Sequence, residues 1–285
     1  MGSSQTNHPS TGRNQEQSGV TPTTPSAAHY THDTTQRETD QHLERLLTLA
    51  GHELRTPLTT INGNIQLAQR RLSSDDPATG HTMDTVLDLL IRTKRQLDRM
   101  NNLIEQILHA ERIYEGRLDL QLARCDLVGI ARETTEQYRL LWPHRTINLA
   151  PPGTKQSTTA LYVVADVEHI AQVTANYLSN ALKFSPDDTP IVLRVEQRGD
   201  QARIVVRDQG PGLPPQEHKR VWERFYRVPG IHELSGSGIG FGLGLYICRE
   251  IITQHGGQVG VKSAPGKGST FWYTLDLAPE IACAE

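Results

Sequence analysis

Four groups of polar residues stand at spacings that could do chemistry. The first lies in "LAGHELRTPLTTINGNIQLAQRRL", residues 49–72. His52 and Glu53 are adjacent there, Thr56 follows His52 by four, and Pro57 interrupts what otherwise reads as one helix. At about 100° per residue, His52 lies roughly 200° around from Ala50 and 160° from Leu54, so it faces solvent with Thr56 one turn later on the same face. Pro57 offers no N–H to the carbonyl of Glu53, so a bend is expected there. A zinc-protease His-Glu-x-x-His site is excluded, because Thr56 stands where the second histidine belongs. Two readings remain: an exposed imidazole with a task, or a tolerated kink beside a surface histidine.

The other three groups lie further along. Asn176 and Asn180 are one turn apart on a helix face, with Lys183 just beyond. An amide oxygen suits Mg²⁺ where phosphates supply most of the shell, and a lysine beside it would meet phosphate charge. "DQGPGLP" puts Asp208 at the end of a strand before a Gly-Pro-Gly turn, where a carboxylate can accept from an amino group deep in a pocket. "GSGIGFGLGL" alternates five glycines from Gly236 to Gly244 and runs into a helix. Glycines let backbone N–H groups approach an anion, and a helix N-terminus favours one. This is neither a P-loop nor a Gly-x-Gly-x-x-Gly fingerprint. Taken singly, a polar helix face, a tight turn and a flexible linker would explain these three as well.

The elements that must position these groups can be read from periodicity. Apolar or small residues recur at Leu43, Leu47, Ala50, Leu54, Leu58, Ile61, Ile65, Ala68 and Leu72, a heptad seam with one extra step of four. "SSDDPATG" breaks the helix, and a second seam follows at Val86, Leu90, Thr93, Leu97, Met100, Ile104 and Ile107. Two such helices form an antiparallel hairpin, and pairing with a second copy into a four-helix bundle would complete its core. From about Cys125 helices and strands mix. "DLVGIARETTEQYRLL" reads as a helix capped by Asp126, "TINLA" and "ALYVVAD" as strands, and "VEHIAQVTANYLSNALKF" as a helix. "PIVLRVEQRGDQARIVVRD" is a hairpin turning at Gly199-Asp200, "GLGLYICREIITQHGG" a helix ending at a glycine pair, and "QVGVKSAPGKGSTFWYTLDL" a second hairpin. The fold class expected is α+β: a dimeric helical bundle followed by a sandwich with helices on one face of a mostly antiparallel sheet.

Composition narrows the partners. The net charge of −3 over 285 residues leaves no basic excess for general nucleic-acid binding. No apolar run is long enough to span a bilayer, and no signal peptide opens the chain. Cys125, Cys248 and Cys283 lack metal-type spacing, which suits small packing residues in a reduced cytoplasm. Residues 1–38 are dominated by Ser, Thr, Gln, Pro and His and are expected to be disordered; His8, His29 and His32 are too irregular for a metal tract. The expected division is 1–38 polar segment, 39–118 hairpin, 119–278 sandwich and 279–285 tail.

Order and spacing together are far more specific than any one motif. The set resembles the kinase core of bacterial sensor histidine kinases over roughly residues 40–277. "HELRTPL" resembles the phosphoacceptor box, "NYLSNALKFSP" the asparagine box, "DQGPGLP" and "GFGLGL" the two glycine boxes, and "ERFYRV" the phenylalanine box. The resemblance implies a dimerisation and phosphotransfer hairpin joined to an ATP-binding domain of the gyrase and mismatch-repair superfamily. It implies His52 as nucleophile, with Glu53 orienting the ring or taking its proton; a free imidazole of pKa near 6.5 is about three quarters neutral at pH 7. It implies ATP and Mg²⁺ as cofactors, with Asn180 on the metal, Asn176 beside it and Lys183 on the phosphates. Phe184 would pack near the adenine and Asp208 accept from its amino group, with Gly210 and Gly212 shaping the pocket. Arg227 would reach the phosphates at the edge of a lid from Val228 to Gly240, and Gly240, Gly242, Gly244 and Leu245 would complete the nucleotide site.

The partners implied are a second copy of the chain and the receiver domain of a response regulator, whose aspartate takes the phosphoryl group from His52. Thr56 would hold a water for the reverse dephosphorylation. A non-catalytic dimeric module that binds ATP is the alternative. Gly51 and Leu213 depart mildly from the family pattern. A sensor supplied by a partner or a longer parent chain would account for the lack of a sensor region.

Overall fold

The computed structural model describes residues 48, 50–51, 54–73, 82–150, 160–234 and 240–279. The expected polar segment 1–38, the start of the first seam at Leu43 and Leu47, the turn beyond Ser73, and His52 and Glu53 lie outside the described residues. So do Gly236 and Gly238, and all of the tail except Pro279.

Two helices, α1 (54–72) and α2 (Thr82–Tyr114), occupy the region of the expected hairpin. The helix runs on through Pro57, which is buried. The hydroxyls of Thr59 and Thr60 donate to the carbonyls of Arg55 (2.9 Å) and Thr56 (3.2 Å) around it. Of the two apolar seams, Ile61, Ala68, Val86 and Thr93 are buried, whereas Leu58, Ile65, Leu90, Leu97 and Ile104 are exposed. A pair of helices can cover only part of two such stripes. Further along, α2 turns a stripe that the heptad pattern did not include, Leu103, Ala110 and Ile113, into the core shared with the second half. Polar contacts join the same surfaces. Arg224 donates to Glu111 at 2.6 Å, and the Gln172 amide lies 3.0 Å from Nδ1 of His109.

The second half is built on two sheets. Strand β1 (Ala123–Asp126) pairs antiparallel with β3 (Tyr162–Ala165). The larger sheet has the order β2-β4-β5-β7-β6, from β2 (Ile147–Ala150), β4 (Ile191–Arg198), β5 (Gln201–Arg207), β7 (Ser269–Asp276) and β6 (Gln258–Ser263). Only the β2–β4 pair is parallel, so the expectation of a mostly antiparallel sheet holds. Helices α3 (Leu127–Leu141), α4 (Val167–Phe184) and α6 (Gly244–Gln254) pack against this sheet, with the short α5 (Glu217–Arg220) near β6. Strand β1 (ARCD) and the one-turn α5 (EHKR) have no counterpart in the sequence pattern, since neither carries an apolar alternation or stripe.

Caps fix where the helices start. Asp126 accepts from Val128 N (3.0 Å) and Leu161 N (3.2 Å), so one carboxylate oxygen starts α3 and ties it to the approach to β3. Asp166 starts α4 by accepting from His169 N at 3.1 Å, and its other oxygen holds Gln121 N at 2.8 Å. Helix α4 sends Val173, Tyr177, Leu178 and Leu182 into the core opposite Leu193, Ile204 and Tyr273. Each such side chain is worth about 1.5–3 kcal/mol on full burial. The hydroxyl of Thr174 donates to Ile170 O, leaving its oxygen to take the proton of Tyr273 OH at 2.9 Å.

His255, just past α6, ties that helix to the start of α4. Its Nδ1 lies 2.7 Å from Ile251 O and its Nε2 accepts the Asp166 backbone N–H at 3.0 Å. This geometry requires the neutral ring, since a second N–H would face a donor. Burial lowers the His255 pKa, as does the charge of His169, against Ile251 O and Asp166, which raise it. A lowered folded pKa means that the unfolded chain binds more protons below about pH 6.5, so stability should fall with pH from there toward the folded value. Unfolding free energy measured between about pH 8 and 5 should show this slope, shallower in His255→Gln; an unchanged slope in the variant would assign the effect elsewhere.

Candidate functional site

A cavity of about 870 Å³ opens between α4, the segment before α6, the turn after β5 and one side of α2. Its size is at the upper end of the ~300–1,000 Å³ usual for small-molecule sites. Asn176, Asn180, Lys183, Phe184, Asp208, Gly212, Arg227, Gly240, Gly242, Gly244 and Leu245 all line it. Gly210 is buried just behind the wall, and Thr56 stands exposed on α1, away from the cavity lining.

At the closed end, Asp208 is 5% exposed and its Oδ1 accepts from Gly210 N (2.8 Å) and Ser269 N (3.1 Å). Its own N–H donates to Ser269 O at 2.9 Å. Burial raises the Asp208 pKa, and the two backbone N–H groups offset part of that rise. No described residue bonds Oδ2, so that oxygen is available to a donor on a ligand. The turn that follows has no room for side chains. Gly212 has φ +69°, and a Cβ there would run into the Ala264 carbonyl; one on Gly210 would stand 2.7 Å from Phe184 O.

The other end gathers polar groups. Asn180 Nδ2 donates to Asn176 Oδ1 at 3.2 Å, which leaves Asn180 Oδ1 for a ligand. Gly244, the first residue of α6, packs so closely on Asn176 that a Cβ would sit 2.7 Å from its amide nitrogen. A Cβ on Gly242 would meet Tyr226 O at 2.5 Å. The second glycine run is thus required by packing as well as by any anion. No side chain caps α6 at Leu243, and the first turn, Gly244 and Leu245, lines the cavity. Uncapped N–H groups at a helix start favour an anion. Lys183 is largely desolvated, which lowers its pKa; Glu233 opposes this and Arg99 adds to it. The backbone N–H of Leu234 donates to Lys183 O at 2.8 Å, tying Leu234 to the end of α4. Phe225, whose carbonyl carbon lies close to Gly242, has φ +62°, a strained conformation for a non-glycine residue.

Some lining residues belong to no motif. Arg95, Arg99, Asn102 and Gln106 bring α2 to the cavity, and Tyr138 and Ser179 fill one side. The α2 group is spaced by four, three and four, a polar helix stripe that periodicity could have shown, although nothing in the sequence connects it to a distant pocket.

A helix face bearing amides and a lysine, a buried acceptor on a Gly-Pro-Gly turn and an uncapped helix start define the class of nucleotide-binding α/β sandwich. Residues 165–279 match the family described as Histidine kinase-, DNA gyrase B-, and HSP90-like ATPase, and residues 42–116 match the His Kinase A (phospho-acceptor) domain. The chain belongs to the sensor histidine kinases, of which it carries the kinase core. It is 32% identical over 235 residues to the adaptive-response sensory kinase SasA of Crocosphaera subtropica, covering 82% of this chain and 59% of that protein. The chain therefore spans little more than half the length of that relative. Among solved structures, full-length ShkA in complex with AMPPNP aligns at TM-score 0.55 and 28% identity over 84% of this chain and 47% of that one. ThkA in complex with the response regulator TrrA shares the fold at TM-score 0.59 and 22% identity, over 89% and 67%.

The turn can be tested on stability alone. Gly212→Ala combines a positive φ with a collision against backbone and should lower the unfolding free energy by more than about 1 kcal/mol. Gly230→Ala, with φ +78° and open space around it, carries only the conformational cost. Denaturant unfolding followed by tryptophan fluorescence should rank the two in that order; equal losses would show that the turn can yield.

Proposed function

We propose that this chain is an ATP-dependent protein-histidine kinase that phosphorylates His52 and passes the phosphoryl group to an aspartate of a response regulator. The observation that carries the reading is the cavity itself. It joins a buried carboxylate at one end to Asn180, Lys183 and the uncapped α6 at the other, in a chain that also has the phospho-acceptor hairpin. Asp208 Oδ2 accepts from the adenine amino group. Phe184 packs near the ring, and Gly210 and Gly212 keep the turn close to it. Lys183, Arg227 and the backbone of Gly240, Gly242, Gly244 and Leu245 receive the phosphates. Asn180 Oδ1 fits a Mg²⁺ ion brought in with the nucleotide: one neutral amide oxygen suits a cation held mainly by phosphate and water. Among the described residues no cluster of His, Cys, Asp or Glu could hold a metal ion without the nucleotide.

In the transfer, a neutral nitrogen of His52 attacks the γ-phosphorus, the bond to the bridging oxygen breaks, and ADP leaves. Glu53 orients the ring or takes its proton. The protein's part is positioning and charge neutralisation. Thr56, exposed and close in sequence to His52, holds a water for dephosphorylation of the regulator. The working unit is a homodimer, supported by the exposed Leu58, Ile65, Leu90, Leu97 and Ile104 on the hairpin. The response regulator as partner is supported by the ThkA complex. Residues 39–118 and 119–278 are the two working parts. No described helix is long and apolar enough to cross a membrane, and Cys125 and Cys248 are free thiols, which suits a cytoplasmic site of action.

His52→Gln should retain nucleotide binding and lose all label from γ-labelled Mg-ATP, since nucleophile and pocket lie in different parts of the chain. Wild-type label should be acid-labile and alkali-stable. Nucleotide binding without any wild-type label would leave the non-catalytic module. Asp208→Asn should weaken nucleotide binding about 5- to 150-fold, the equivalent of 1–3 kcal/mol for a buried partner left facing a donor. Unchanged affinity by calorimetry would remove Asp208 as the acceptor. Thr56→Ala should spare both transfers and slow only the decay of the phosphorylated regulator; equal decay rates would leave Thr56 without a role.

A further inference from the structure

The face of the larger sheet turned away from α3, α4 and α6 is covered by no described element, and its charge is opposite to that of the chain. Strand registers place Arg194, Val205, Trp272 and Gly260 in one row across it. Glu196, Arg203 and Thr274 form the next row on one side, and Val192, Arg207, Thr270 and Lys262 the row on the other. With Arg198 the face carries five cations, against only two carboxylates, in a chain of net charge −3. Both carboxylates are engaged: Glu196 pairs with Arg198 at 3.1 Å, and Asp276 accepts from Gln201 at 2.8 Å.

The centre of this face is built. Trp272 is half-buried and lies over Gly260, where a Cβ would collide with the indole ring. The Arg203 guanidinium stacks 4.2 Å above that ring. The ring holds Arg203 flat and at low entropic cost for an incoming acceptor. Arg203 Nε and its cross-strand neighbour Thr274 Oγ1 are both buried with no hydrogen-bond partner. Burial and the charge of Arg198 hold the Arg203 pKa below its usual value, against the pull of Glu196. A stacked cation short of acceptors, ringed by Arg194, Arg207 and Lys262, is complementary to carboxylates. Because the upper face of Trp272 is already occupied by Arg203, a base could not stack there, and this disfavours single-stranded nucleic acid.

We propose that this open sheet face is a docking surface for an acidic segment of a protein partner, with Arg203 on Trp272 as its central anchor and Arg194, Arg207 and Lys262 as its electrostatic rim. It is separate from the nucleotide cavity, whose residues lie on the other side of the sheet. The test uses the full chain and a fluorescein-labelled octaglutamate peptide, followed by anisotropy at low and high salt. Saturable binding that weakens with salt is expected. Arg203→Gln and Arg194→Glu should each weaken it about tenfold or more, while Arg132→Glu on the exposed face of α3 should change it less than about twofold. All three variants should keep wild-type nucleotide affinity and unfolding midpoint. No peptide binding at low salt would overturn the proposal, as would equal weakening by all three substitutions, which would mean net charge alone. Tighter binding of an octathymidylate lost in Arg203→Gln would also overturn it and make the face a nucleic-acid platform.

Discussion

A buried carboxylate has to be satisfied, and the way Asp208 is satisfied sets the shape of the second half of this protein. Its Oδ1 takes two backbone N–H groups, from the turn that follows it and from the first residue of β7, while its own N–H bonds back to that same residue. Two of these hydrogen bonds lock the end of β5 to the start of β7, and the third fixes the turn that follows Asp208. Each alone is worth about 1 kcal/mol, but leaving the carboxylate unpaired would cost much more. The arrangement spends one oxygen on the fold and leaves the other for chemistry. A ligand donor meets an acceptor already desolvated and already held.

The same economy of space runs through the glycines. Gly212 is needed because the turn presses on Ala264, Gly244 because α6 starts against the Asn176 amide, and Gly242 because the chain passes the Tyr226 carbonyl. At Gly244 the missing side chain lets the start of α6 lie against Asn176, which lines the pocket. Asn176 is fixed between Gly244 and Asn180, so the amide left facing a ligand is Asn180. Helix α4 can serve both purposes because Tyr177 and Leu178 point into the core while Asn176, Asn180 and Lys183 lie on its other side.

Much of this was legible in the sequence, for particular reasons. Helix α4 was readable over its full length because its apolar stripe and polar face agree. The Gly199-Asp200 turn and the β6–β7 hairpin were readable because turn chemistry and alternation coincide there. Asp208 stood out because a strand ends on it before Gly-Pro-Gly. The α2 residues that wall the cavity were not legible: the stripe Arg95, Arg99, Asn102 looks like a solvated helix face until the fold brings it to the pocket. Nor was the burial of Leu103, Ala110 and Ile113, since a heptad pattern states which residues seek a partner and not which partner they find. The role of Gly260 is another such case, because only the β6–β7 register places it under Trp272.

The α2 wall sets charges of both signs around the pocket. Lys183 lies under the opposing influences of Glu233 on the lid segment and Arg99 on α2. Before a nucleotide enters, Glu233 is the anion that helps keep this lysine charged. A triphosphate would bring several negative charges into a poorly solvated space, where Coulomb interactions act strongly and are little screened. It would take over Lys183, repel Glu233 and attract Arg99. Glu233 stands one residue from the Leu234 N–H that donates to Lys183 O, so the charge balance around this lysine acts where residues 233–234 meet the end of α4.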